Sequence, residues 1–247
     1  MIIRFSLLLL IATFSLRADD SSEVGQTMAE QMRAGQPSKE SIVYGTLQIR
    51  AGKIKTDIPA ICQVKVSQTN WETIYETGSI NETPAERLVI IHQLNQPNQY
   101  LYAQAPAPNA PLPEPKPISA AQAAHPLAGS DFWLSDLALE FLHWPGQRKL
   151  KDGKAMGQEC YLLESSNTNR VEMDRVVSWI DKESFDQGSG GLLRAEGYQG
   201  TNLVKEFSLS GSSFVKVNGE YKLEKMKITS PLKKSQTTLK FDLSPNK

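Results

Sequence analysis

From residue 41 onward, apolar and polar positions mostly alternate with a period of two. Val43, Leu47 and Ile49 share one face. In IKTDIPAICQVKV (54–66), Ile54, Ile58, Ala60, Cys62, Val64 and Val66 fall on one side, and Lys55, Asp57, Gln63 and Lys65 on the other. That alternation predicts half-buried strands. Pro59, inside the second run, predicts an edge position or a bulge, because proline cannot donate to a ladder. WETIYET, RLVIIHQL and QYLYAQA predict three more strands. The pattern resumes after residue 145 with ECYLLESS, RVVSWID, LLRAEGYQ, LVKEFSLSG, FVKVNGEYKLEKMKITS and TTLKFDL. The connections, such as DKESFDQGSGG, GTN and PLKKSQ, read as turns. Asn218–Gly219 is a two-residue hairpin signal. About eleven strands are expected in an antiparallel meander, with no βαβ rhythm.

Two stretches depart from this period. SEVGQTMAEQMRA (22–34) spaces Val24, Met28 and Met32 as a weak helix, ended by Gly35 and Pro37. GSDFWLSDLALEFLHWP (129–145) reads as a helix that is apolar on nearly every side. Leu134, Leu137, Phe141 and Trp144 form one stripe at helical spacing, while Phe132, Trp133, Leu139 and Leu142 fall largely outside it. A helix lying on a sheet normally keeps one wet face. This one needs contact on several sides, as a lid or plug would, and so suggests an apolar cavity beneath it. His143 stands at its end, where a cationic ring would complement the carbonyl terminus.

Composition adds the compartment. Arg4, the apolar run 5–14 and Ala18 describe a secretory signal peptide cut after residue 18. No other run is apolar enough to cross a bilayer, so an integral membrane protein is not expected. The remaining 229 residues fit one domain, 19–247. The leader carries Arg4 and Arg17 and no acid, which leaves 25 basic against 27 acidic groups, a net charge of −2. Such a chain has no general attraction for nucleic acid. Residues 105–117 (APAPNAPLPEPKP) hold six prolines and read as an extended surface insertion. In an oxidising compartment two cysteines, Cys62 and Cys160, permit one disulfide; two buried thiols are the alternative.

Nothing points to catalysis. HExxH, GxSxG and P-loop patterns do not occur. GSGG (188–191) has no lysine after it and falls in a turn. His92, His125 and His143 lack metal-ligand spacing, and neither a metal nor a cofactor is expected. Trp71 and Tyr75 share a strand face and are candidates to line a cavity mouth. Trp179 and Ile180 alternate, so only one points inward; Trp179 is read as the inward aromatic.

The chain resembles the periplasmic outer-membrane lipoprotein-sorting (LolA-like) proteins, in an uncharacterised bacterial branch. The resemblance is carried by GSDFWLSDL (129–137), CYLLE (160–164), VVSWIDKES (176–184), LLRAEGY (192–198) and FVKVNGEYKLEKMKI (214–228), within residues 44–243. It implies a mainly β fold with helices (α+β), an unclosed, curved antiparallel β half-barrel with a helical lid over its apolar concave face. The implied function is a non-enzymatic periplasmic carrier or chaperone that holds lipoprotein acyl chains or other lipid in that cavity. An inner-membrane donor and an outer-membrane acceptor would be its partners. The alternative is a lipid-reading envelope sensor or binding module that docks on a membrane partner. The Pro-rich insertion and DKESFDQGSGG depart from the family pattern. The apolar candidates for lid and cavity are Phe132, Trp133, Leu134, Leu137, Phe141, Trp144, Trp71, Tyr75 and Trp179. Burying one long acyl chain gains on the order of 10 kcal/mol, and the four-residue stripe roughly 6–12 kcal/mol, so exchanging one for the other would be nearly isoenergetic.

Overall fold

The computed structural model describes residues 20–243 apart from 171, 211, 212 and 218. The signal-peptide segment and Asn218 therefore lie outside the described residues. The helix α1 (Asp20–Arg33) precedes a first run of strands: β1 (Ser41–Ala51), β2 (Ile54–Val66), β3 (Asn70–Thr77), β4 (Glu86–Gln93), β5 (Gln99–Gln104) and β6 (Lys116–Ile118). A crossing segment, 119–145, holds single helical turns at Leu127–Gly129, α2 (Leu134–Leu137) and Glu140–His143. Then come β7 (Gly146–Lys149), β8 (Gly153–Ala155), β9 (Gln158–Ser166), β10 (Arg175–Asp181), α3 (Lys182–Asp186), β11 (Leu192–Gln199) and β12 (Asn202–Ser208). The chain closes with β13 (Phe214–Val217), β14 (Glu220–Leu223), β15 (Lys225–Ser230) and β16 (Ser235–Phe241).

All but two of these strands form one antiparallel sheet, ordered β6-β5-β4-β3-β2-β1-β16-β15-β12-β11-β10-β9-β7, with β8 paired to β9. The expected meander is present, but it runs in two arms from the middle. The first arm goes outward from β1 to β6. The chain then crosses to the opposite edge at β7 and works back to β16, which pairs with β1 at Leu47↔Leu239. The sheet is not closed. β13 and β14 form a separate hairpin with Val217 opposite Glu220, and Gly219 in its turn has φ 90°, a conformation that glycine adopts without strain.

The period-two pattern locates the strands well. β2 spans the same residues as its predicted run. Pro59 sits inside the sheet yet obeys the edge rule locally. Its carbonyl accepts from Gly78 N at 2.8 Å, so its nitrogen faces the same side, where β3 has already ended; pairing with β3 begins at Ala60↔Thr77. The Pro-rich insertion contributes only its tail, as the short edge strand β6. DKESFDQGSGG is more than a turn: Ser184 N donates to the Asp181 carboxylate at 2.9 Å and caps α3.

α1 covers the far edge of the sheet, with Met28 and Ala29 in the core. Gly25 permits the close approach, since a Cβ there would lie 2.6 Å from the Arg148 backbone of β7. The buried apolar residues form three clusters along the inner face. One lies under the first arm (Leu88, Ile90, Tyr100, Leu134). One lies at the middle (Leu47, Ile58, Phe132, Leu239). One lies under the second arm (Phe141, Trp144, Leu163, Val176, Ile180).

Candidate functional site

The crossing segment contributes to all three clusters, and this corrects the reading of 129–145 as one helix. Helical turns are interrupted at Leu139, whose φ of 49° lies in the left-handed region that side chains disfavour. Leu134, Leu137, Phe141 and Trp144 therefore do not form a stripe. Leu134 packs under the first arm, Leu137 between the first arm and the middle, and Phe141 and Trp144 under the second arm.

Buried polar groups tie this segment to the sheet at intervals. Ala128 N donates to the Glu86 carboxylate of β4 at 2.9 Å. Ser235 Oγ and Thr237 Oγ1 of β16 donate to Asp131 at 2.6 and 2.9 Å. Asp136 accepts from its own segment at Trp133 N, 2.7 Å, and from Lys205 Nζ of β12 at 2.5 Å. Tyr100 OH of β5 donates to Glu140 at 2.5 Å. Gln147 Nε2 of β7 donates to the carbonyls of Phe141 and Trp144 at 3.0 and 2.9 Å. Burial pushes the Glu86 and Glu140 carboxyls upward, against their hydrogen bonds. Lifting the segment as a lid would expose or orphan several such groups, at about 1–3 kcal/mol each. The near-isoenergetic exchange of lid for acyl chain omits these terms. The segment is a fastened strap.

Beneath the strap, on the side of the second arm, lies a cavity of about 360 Å³. That is within the range of small-molecule pockets, about 300–1,000 Å³. Phe132, Leu137, Leu139 and Phe141 of the strap form one wall. Val176, Ala195, Phe207, Met226 and Ile228 of the sheet form the other, with Tyr75 at the middle. The charged groups in its wall are Asp136 and Lys205, which pair with each other. Lys205 is 6% exposed, its ammonium lies 3.4 Å from the centre of the Trp133 ring, and burial lowers its pKa to about 8. This lysine was missed in the sequence because LVKEFSLS gives no sign of which face of β12 turns inward.

Four of the nine predicted apolar residues, Phe132, Leu137, Phe141 and Tyr75, border this cavity. Trp133 lies under Lys205, and Leu134 and Trp144 are buried in the core. Trp71 is buried and stacks on His92, with ring centroids 5.0 Å apart. Trp179 is a correction. Ile180 is the inward member of the pair and is fully buried, so period-two alternation turns Trp179 to the other face, beneath Arg194. The disulfide is also corrected, as Cys62 and Cys160 are both free. Cys62 is on β2 and Cys160 on β9, with six strands between them at about 4.8 Å each, far beyond disulfide reach. His143 is not cationic. Burial, reinforced by Arg33 and His92, lowers its pKa to about 4, and the Arg33 guanidinium instead donates to the Leu142 carbonyl.

Among the described residues no helix is long and apolar enough to cross a membrane, and no group of three or more His, Cys, Asp or Glu is placed to hold a metal.

An open antiparallel sheet curved around a strap defines the LolA-like half-barrel. Solved structures show the same fold. A DUF1329 family protein from Desulfovibrio piger superposes with a TM-score of 0.67 at 17% identity, over 92% of this chain and 96% of that one. A putative outer membrane lipoprotein-sorting protein domain from Vibrio parahaemolyticus gives 0.66 at 18%, over 91% and 95%. A LolA superfamily protein from Nitrosomonas europaea gives 0.52 at 14%, over 88% and 91%. A family model described as "Uncharacterized protein" matches residues 85–243, and the chain belongs to that family. No curated protein matches it in sequence.

Proposed function

We propose that this chain is a periplasmic lipid carrier or chaperone of the cell envelope, secreted by a leader cut after residue 18 and folded as one domain over 19–247. Its cargo is an acyl chain of a lipoprotein or another lipid, taken from an inner-membrane donor and passed to an outer-membrane acceptor. The observation that supports this most is the apolar cavity of about 360 Å³ between strap and sheet. Phe132, Leu137, Phe141 and Tyr75 are the contacts assigned to the chain, with Val176, Phe207 and Met226 opposite. The strap stays fastened, and cargo enters and leaves alongside it. Each methylene transferred from water gains about 0.8 kcal/mol, so a chain that is only partly buried can still be released.

The test combines native mass spectrometry of the gently purified protein with binding of N-phenyl-1-naphthylamine, a neutral apolar dye. Co-purified lipid and saturable dye binding that Phe141→Glu weakens are expected. A protein that carries no lipid and takes up no dye at any concentration overturns the proposal.

A further inference from the structure

A second cavity, of about 220 Å³, lies on the other side of the strap. Tyr75, Leu137 and Leu139 line both cavities, so the two meet across these three residues. The second cavity is polar. His92, His143 and Asn98 form its interior, and the amides of Gln93, Asn95 and Gln96 lie on its exposed rim.

Its charges cancel. Arg33 and Glu30 are both in the wall; Arg33 donates to the Leu142 carbonyl, and Glu30 accepts from Gln26 Nε2 at 2.8 Å. His92 has both ring nitrogens engaged, Nδ1 with Asn98 Oδ1 at 2.9 Å and Nε2 with Thr73 Oγ1 at 3.3 Å. The His143 ring makes no hydrogen bond among the described residues, and His143 lines the cavity. Burial keeps it neutral. A neutral imidazole offers one donor and one acceptor, which matches a hydroxyl or an amide. A carboxylate, which only accepts, would leave the acceptor nitrogen unmatched and would face Glu30 as well as Arg33, whose guanidinium already donates to the Leu142 carbonyl.

We propose that the two cavities form one site for an uncharged single-chain amphiphile, its acyl tail beneath the strap and a hydroxyl- or amide-bearing head, such as a glyceryl group, against His143 and the rim amides, with Leu137 and Leu139 as the gate between them. This rests on the lipid-carrier reading and names the head chemistry of its cargo. Leu139 is suited to gating, since its left-handed backbone is a strained point in an otherwise fastened strap.

Displacement of N-phenyl-1-naphthylamine by 1-monomyristoylglycerol and by myristate, at pH 8 where myristate is ionised, tests this. The monoglyceride is expected to displace the dye at about tenfold lower concentration than myristate, in keeping with one or two hydrogen bonds to an otherwise unpaired ring. His143→Leu is expected to bring the ratio of the two affinities close to one. Myristate binding as tightly as the monoglyceride overturns the proposal, and so does a ratio that His143→Leu leaves unchanged. Dye binding without monoglyceride binding removes the head site and leaves the carrier reading standing. Failure of the dye to bind removes both.

Discussion

Lys205 Nζ lies 2.5 Å from the Asp136 carboxylate, and this buried pair joins strand β12 to the strap across the wall of the apolar cavity. Removing one partner of a buried pair leaves the other charge uncompensated, while removing both together is often nearly neutral. Lys205→Met is therefore expected to lower unfolding free energy by about 3–5 kcal/mol, and Lys205→Met with Asp136→Leu to recover most of that loss. Urea titration of the four proteins of the cycle checks this. Equal losses for the single and double variants would show that the pair does not act as a unit.

Ala195 on β11 is 7% exposed and faces the cavity. Ala195→Phe is expected to fill the space and weaken binding of a neutral apolar dye at least tenfold, with a change in stability of about 1–3 kcal/mol at most. Fluorescence titration on protein shown to be folded by circular dichroism makes the comparison. Unchanged dye affinity would place the dye elsewhere.

His143 has its folded pKa lowered to about 4, against 6.5 for an unperturbed ring. Between those values the unfolded chain binds the proton and the folded chain does not, so this residue's contribution to stability is present above pH 6.5 and lost as pH falls to 4. The raised carboxyls of Glu86 and Glu140 act in the opposite sense, losing stability as pH rises, so the informative quantity is a difference. The stability of the parent minus that of His143→Gln is expected to grow from pH 4 to pH 6.5 and then level off. A flat difference would mean that the ring is solvated.

Both cysteines are free, and burial raises the Cys62 thiol to about 11. Little thiolate exists at pH 8, so native protein is expected to react slowly with iodoacetamide and to gain two carbamidomethyl groups once unfolded. Mass spectrometry counts them. A reductant is expected to leave the urea midpoint unchanged, and a midpoint that falls on reduction would reveal a bond.

Much of the sheet was legible because period-two alternation is a local signal. β2 appears residue for residue in the sequence, and α1 lies within two residues of its predicted span. The strap was not legible as such. Its apolar residues suggest a continuous helix, whereas Leu139 breaks it and three acids, Asp131, Asp136 and Glu140, turn inward to partners 106, 69 and 40 positions away in the chain. Such pairings exist only in three dimensions. Trp179 and Ile180 show the same limit at the scale of one residue, where alternation says that one points inward without saying which.

The pairing of β1 with β16 joins residues about 190 positions apart, such as Leu47 and Leu239. High contact order of this kind predicts slow folding, because the entropy of closing so long a loop is lost before the contact is gained. Until Ser235–Phe241 is available, β1 has an unpaired ladder in the middle of what will become a continuous surface. An unfinished or C-terminally clipped chain would thus present a long strand edge open to pairing with other chains, and would be prone to aggregate.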